Sequence, residues 1–179
     1  MISTIKSMDI QEKVKLNVGC GTDYKEGYIG IDRAKFTEHV DIVLDIEKKK
    51  LPFKDNSVDE CYCAHVLEHV DRPELLIEEM KRVLRPGGLL HIVSPHYSHP
   101  NSHVPVHKNY WGINTKLLFD GSYHEFGHWA SVEWDVNFAN RTGLKQSLIK
   151  PFILKYPLIY EGHLTTLFPL AEVSFKLIK

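Results

Sequence analysis

The sequence predicts an α/β protein built around a parallel sheet, and three observations carry that prediction. Short strand-like runs recur at residues 14–18, 28–31, 41–45, 58–64 and 89–94. An amphipathic helical pattern over residues 73–84 separates the last two, as in a β–α–β unit. The first run breaks at Gly19-Cys20-Gly21, and the second and third end on the acids Asp32 and Asp45.

Each element follows from its residues. Residues 14–18 alternate like a strand, and the glycines behind them let a ligand approach the backbone where no Cβ intervenes. Residues 28–31 form the second strand, with Asp32 at its tip, placed to accept from a ribose diol. The link 20–27 is too short for an ordinary parallel crossover of about a dozen residues. It is therefore a trimmed loop with at most one helical turn. The dinucleotide pattern G-x-G-x-x-G is absent, and the acid follows sooner than that pattern requires. A nucleoside without phosphates is the ligand these features suit. Lys48, Lys49 and Lys50 read as a solvated run, and Leu51-Pro52-Phe53 as a loop packed back on the sheet. Asp71 before Pro73 and Glu74 suggests a capping box. Leu76, Met80, Val83 and Leu84 share the apolar face of that helix, and Arg85-Pro86-Gly87-Gly88 stops it.

Beyond Ser94 the patterning weakens. Residues 96–130 are rich in His, Tyr, Asn, Pro and Gly, as binding loops and lids often are. Residues 131–141 are expected to be a helix on the spacing of Val132, Val136 and Ala139, with Gly143 as its stop; 144–154 and 171–178 are expected to be strands. Leu164, Leu167, Phe168 and Leu170 suggest core or a dimer surface rather than a lipid-binding lip. Residues 1–13 are undecided between a short helix and a disordered lead.

Composition bounds the function. The 179 residues are 43% hydrophobic and 25% charged with a net charge of -1, which suits one globular domain and leaves no electrostatic footprint for bulk nucleic acid. The three cysteines are odd in number and lack a CxxC pattern, pointing to a reducing, cytoplasmic setting. No signal-peptide core and no membrane span are apparent.

Four stretches, LNVGCG, GYIGID, VLDIEKKKLPFKDNSVDECYCAHVLEHV and MKRVLRPGGLLHIVSP, occur in an order and spacing that resemble the class I S-adenosylmethionine-dependent methyltransferases, in particular the small type-11-like group. The resemblance covers about residues 14–95. It implies a Rossmann-like three-layer fold: a seven-stranded, mostly parallel sheet with an antiparallel last strand and the first crossover helix trimmed. The final two strands would be 144–154 and 171–178. The chain would be one domain: 14–95 a cofactor-binding core, 96–130 a substrate or lid segment, and 131–179 the closing helix and strands. The cofactor implied is S-adenosyl-L-methionine. Gly19, Cys20 and Gly21 would lie against its methionine part. Asp32, with Arg33 beside it, would take the ribose. Asp45 and Ile46 would hold the adenine, and His65 would lie near the methyl donor. Read singly, Asp32 also fits a solvated strand end, Asp45 a turn cap and His65 an N-cap or core residue.

Methyl transfer to a hydroxyl is helped by a general base, usually histidine. His96, closest to the fifth strand, and its neighbour Tyr97 are the catalytic candidates, as base or as acceptor-orienting groups. The remaining histidines, among them His99, His103, His107, His124 and His128, also fit simple loop hydrogen bonding. The spacings of His96 to His99 and of His124 to His128 permit metal ligation without a supporting motif, so no metal ligands are assigned. AHVLEH stands where base- and glutamine-amide methylases carry Asn/Asp-Pro-Pro-Tyr/Phe, which favours a small-molecule acceptor, methylated on oxygen or nitrogen. Two other readings remain: a non-catalytic methyltransferase-like binding or regulatory module, and a metal-dependent enzyme using the His-rich segment. A homodimer is compatible with all three.

Overall fold

The computed structural model describes residues 13–121, 126–139, 143 and 145–179. Seven strands form one sheet: β1 (Lys15–Val18), β2 (Ile29–Asp32), β3 (Ile42–Val43), β4 (Val58–Ala64), β5 (Leu84–Pro95), β6 (Ser131–Asn137) and β7 (Glu172–Ile178). Their spatial order is β3-β2-β1-β4-β5-β7-β6. The first five strands run parallel, whereas β7 is antiparallel to both β5 and β6. The predicted seven-stranded, mostly parallel sheet with an antiparallel last strand is observed, with Ser131–Asn137 and not 144–154 as its sixth strand. Residues 20–27 hold no helix, so the trimmed first crossover is also real.

β1 is central because Leu16 and Val18 are buried while the strand pairs with β2 on one side and β4 on the other. Helix α1 (Pro73–Val83) buries Leu76, Ile77, Met80 and Val83, and Leu84 passes directly into β5. Burying each of these large side chains stabilises by about 1.5–3 kcal/mol. The capping box is not formed. Arg72 occupies the N-cap without a side-chain cap bond, and its Nε instead pairs with Glu74 at 2.8 Å.

The C-terminal half corrects two expectations. Residues 131–137 are strand, not helix. Val132, Trp134 and Val136 alternate with Ser131, Glu133, Asp135 and Asn137 at a strand's period, and that alternation pairs the segment with β7, setting Trp134 opposite Phe175 and Val136 opposite Val173. Residues 140–142 of the expected helix lie outside the described residues. Residues 145–155, expected to be strand, are a wide helical turn followed by α2 (Lys150–Lys155), which buries Ile153; Leu144 is not among the described residues. In the apolar run beyond, Leu170 is fully buried whereas Leu167 is 65% exposed, so that run is core only in part.

The loop 51–55 is tied to α1 by Arg82. Its Nε and Nη2 grip Glu79 at 2.9 and 2.6 Å, Nη1 bonds Asp55 Oδ1 and the Phe53 carbonyl, and Nη2 bonds the Leu51 carbonyl. Glu79 also accepts from Leu51 N at 2.7 Å. Arg82→Met keeps the stem but leaves the half-enclosed Glu79 carboxylate without its partner. It is expected to lower unfolding free energy by about 1–3 kcal/mol in urea titrations, with the far-UV spectrum unchanged.

Candidate functional site

The parallel strands aim their C-terminal ends at one cleft of about 610 Å³. Its floor is the turn after β1. Gly19 and Gly21 adopt φ of +72° and +51°, the left-handed region that glycine enters without strain. Gly19 N and Cys20 N both donate to the Ile31 carbonyl, at 2.8 and 3.0 Å. Asp23 N bonds the Cys20 carbonyl, and Asn17 Nδ2 bonds the Asp23 carbonyl. These bonds hold the turn in place of a crossover helix. The two glycines differ in surroundings. A Cβ on Gly19 would lie 2.3 Å from Val66 Cγ2, whereas one on Gly21 would meet nothing within 4 Å. Gly21 therefore opens the cleft down to the backbone itself.

Asp32, at the tip of β2, accepts from Gly21 N through Oδ2 at 2.8 Å and from Arg33 N through Oδ1 at 2.7 Å. Each carboxylate oxygen has two acceptor positions, so each retains one for a ligand hydroxyl. Asp45 lies just beyond β3, where Oδ1 accepts from Glu47 N and Oδ2 pairs with Lys48 at 2.8 Å. The Lys48 ammonium holds this carboxyl below the usual carboxylate range. Lys48 is thus Asp45's counterion, though it is largely solvated as the sequence suggested.

His65, the first residue beyond β4, has φ of +56°, uncommon for a side chain with a Cβ. Its Nε2 lies 3.3 Å from Glu172 and its Nδ1 3.5 Å from Glu68. Those two carboxylates, Glu172 foremost, push its pKa up to about 9, so the ring is a cation at neutral pH.

Of the residues the sequence nominated, Gly19, Gly21, Asp32, Arg33, Asp45, Ile46 and His65 all line this cleft. Cys20 does not: it is turned into the interior at 4% exposure, and burial pushes its thiol up. His96 and Tyr97 lie outside the lining as well. His96 is completely buried. Its Nδ1 accepts from Ser98 N at 3.2 Å, which puts the ring proton on Nε2, facing Glu161 Oε1 at 3.6 Å. Tyr97 stacks on His96, donates from its hydroxyl to the Glu161 carbonyl at 3.4 Å, and has its phenol pushed up by burial. His124 falls outside the described residues. The sequence reading assigned no site role to Phe36, Glu47, Val66, His69, Val70, Val106 or Lys108, which complete the lining. The 54% exposure of Phe36 marks it only in three dimensions, and Val106 and Lys108 arrive from a loop whose course local patterning does not set.

A methyltransferase family model described as "Methyltransferase domain" matches residues 12–92. That segment is less than half of the chain, and over it the chain is similar to methyltransferase domains. An uncharacterized methyltransferase of Mycobacterium tuberculosis is 38% identical over 78 residues, covering 38% of this chain and 31% of the relative. One of Mycobacteroides abscessus is 62% identical over 39 residues, 22% of this chain and 15% of the relative. The chain therefore spans less than a third of the length of these curated relatives. Among solved structures, a SAM-dependent methyltransferase from Archaeoglobus fulgidus aligns with a TM-score of 0.63 at 20% identity, over 93% of this chain and 86% of that one. Phosphoethanolamine N-methyltransferase 2 of Haemonchus contortus, in complex with S-adenosyl-L-methionine, aligns at 0.62 with 14% identity, over 94% and 49%. At such identities the likeness is one of fold. No helix among the described residues is long and apolar enough to cross a membrane.

The glycine pair yields a contrast between packing and opening. Gly19→Ala collides with Val66 and is expected to cost several degrees of thermal midpoint. Gly21→Ala meets open space, so it should lose only about 1 kcal/mol for the left-handed backbone. Melting curves of the two variants side by side check this.

Proposed function

We propose that this chain is an S-adenosylmethionine-dependent methyltransferase acting on a small-molecule acceptor, at oxygen or nitrogen. In this reading the whole chain is one domain, with 14–95 holding the donor and 96–130 covering the acceptor. The observation that carries it is the Gly21 turn, open to the cleft and held there by Asp32, with a second carboxylate, Asp45, on the same wall. The cleft's residues suit the cofactor. Asp32 has acceptor positions left for a ribose diol, Phe36 and Ile46 offer apolar surface to an adenine, and the volume is that of an ordinary small-ligand site.

Bound S-adenosylmethionine supplies an electrophilic methyl group on a sulfonium. An acceptor's lone pair would take that carbon as the S–CH3 bonding pair returned to sulfur. The chain's task is positioning, which can supply about 7–11 kcal/mol of the barrier reduction. A protonated His65 is a hydrogen-bond donor and not a base, so we assign it to orientation, locked by Glu68 and Glu172. We assign His96 and Tyr97 to positioning also. They stiffen the exit of β5 through the bond of Tyr97 N to the Trp111 carbonyl, and so fix the base of the segment that covers the acceptor.

Calorimetry tests the reading. S-adenosylmethionine and S-adenosylhomocysteine are expected to bind stoichiometrically, and Asp32→Asn to weaken both at least about tenfold, or 1.4 kcal/mol. Absence of heat with either compound on the folded wild-type chain would remove the proposal. Transfer of labelled methyl across a panel of small alcohols, phenols and amines then identifies the acceptor class.

A further inference from the structure

One cluster at the rim of the cleft joins His69 of its lining to Glu68, whose Oε1 also faces His65 at 3.5 Å, and to His107. Glu68, His69 and His107 each offer a ligand atom, and the three atoms lie within 4.8 Å of one another. Glu68 and His69 come from the turn after β4, and His107 from the far loop. Backbone bonds pin the two segments together: Lys108 N and Asn109 N donate to the Glu68 carbonyl at 2.6 and 3.2 Å, and Asn109 Nδ2 donates to the Leu67 and Val70 carbonyls. The two imidazoles meet edge to face with centroids 4.6 Å apart.

Their hydrogen bonds prepare them as ligands. His69 Nδ1 faces the Val106 carbonyl at 3.3 Å, and His107 Nδ1 faces the Ser102 carbonyl at 3.1 Å. A carbonyl oxygen only accepts, so Nδ1 carries the proton in both rings and Nε2 keeps its lone pair. This is the arrangement in which second-shell carbonyls orient metal-bound histidines. Glu68 is 2% exposed, and its Oε2 accepts from Ser94 Oγ at 3.3 Å, a second such support. The His96–His99 pair considered from sequence lacks this preparation, because both Nδ1 atoms accept from backbone N–H groups, of Ser98 and Asn101.

We propose that Glu68, His69 and His107 form a binding site for a divalent transition-metal ion at the rim of the cleft. Imidazole and carboxylate donors suit Zn(II), Co(II), Ni(II) or Mn(II). Three protein ligands leave positions open, the arrangement of catalytic and not structural sites. His69 lines the cleft, so the ion borders the donor site. This consequence rests on the methyl-transfer reading: an ion there would favour an alcohol or phenol acceptor over an amine, because coordination would acidify the hydroxyl and leave its oxygen a lone pair, whereas an amine would give the metal its only one.

The test uses the full chain, without a polyhistidine tag, after chelator treatment. Cobalt chloride is titrated and followed by visible absorption, and zinc chloride by calorimetry, both without S-adenosylmethionine. One equivalent should bind with a dissociation constant in the micromolar range or tighter. Glu68→Gln, His69→Ala and His107→Ala should each weaken binding at least about 100-fold, more than an outer-shell loss. His99→Ala should leave it unchanged. Melting curves confirm that each variant is folded; should one not fold, the other two decide. Binding weaker than millimolar, or binding that persists in the ligand variants or falls equally in His99→Ala, would overturn the site. The two readings fail separately: donor binding by the metal-free chain tests the methyltransferase, and cobalt binding without donor tests the metal site.

Discussion

The architecture of the cleft depends on one carbonyl. Ile31 O, near the end of β2, accepts from both Gly19 N and Cys20 N. In a longer crossover these N–H groups would begin a helix and be satisfied within it or by a bound anion. With the crossover reduced to residues 20–27, neighbouring strand and loop atoms must satisfy them, because a buried N–H left unpaired costs about 1–3 kcal/mol. Asp32 completes the arrangement by taking Gly21 N. The same carboxylate therefore holds the turn in shape and lines the cleft, which couples the shape of the floor to the acceptor positions that carboxylate leaves open.

The second half of the chain closes the site from the other side. β7 returns antiparallel along β5 and brings Glu172 opposite Pro95, at the strand exits, where it pairs with His65. A residue late in the sequence thus sets the charge of one that lines the cleft. The segment 104–109 is fastened to the turn after β4 by backbone bonds to Glu68 and by Asn109. Loops so far apart in sequence become one rim, and the paired histidines stand where they meet.

The misassigned segments show where local patterning stops deciding. Residues 131–137 satisfy a helical spacing through Val132 and Val136 and a strand alternation through Val132, Trp134 and Val136 together. The partner β7, with Phe175 and Val173 in register, selects the strand. Residues 145–155 carry enough apolar character for a strand, but the edge position beside β7 is already taken by β6. Their apolar side chains then cover the sheet from a helix, through Ile153.

By itself the sequence determined the parallel half of the sheet, α1, the shortened first crossover and the acids at the strand tips. All of these rest on short-range signals: period-two alternation, period-3.6 burial, glycine at a left-handed turn and strand-terminal carboxylates. Tertiary structure decided the rest. It buried His96 and placed it outside the cleft, charged His65 through Glu172, and drew Glu68, His69 and His107 together. Each of these is a matter of which distant groups share a small volume at low dielectric, where neighbours fix protonation and reach. Spacing along a chain carries no record of that proximity.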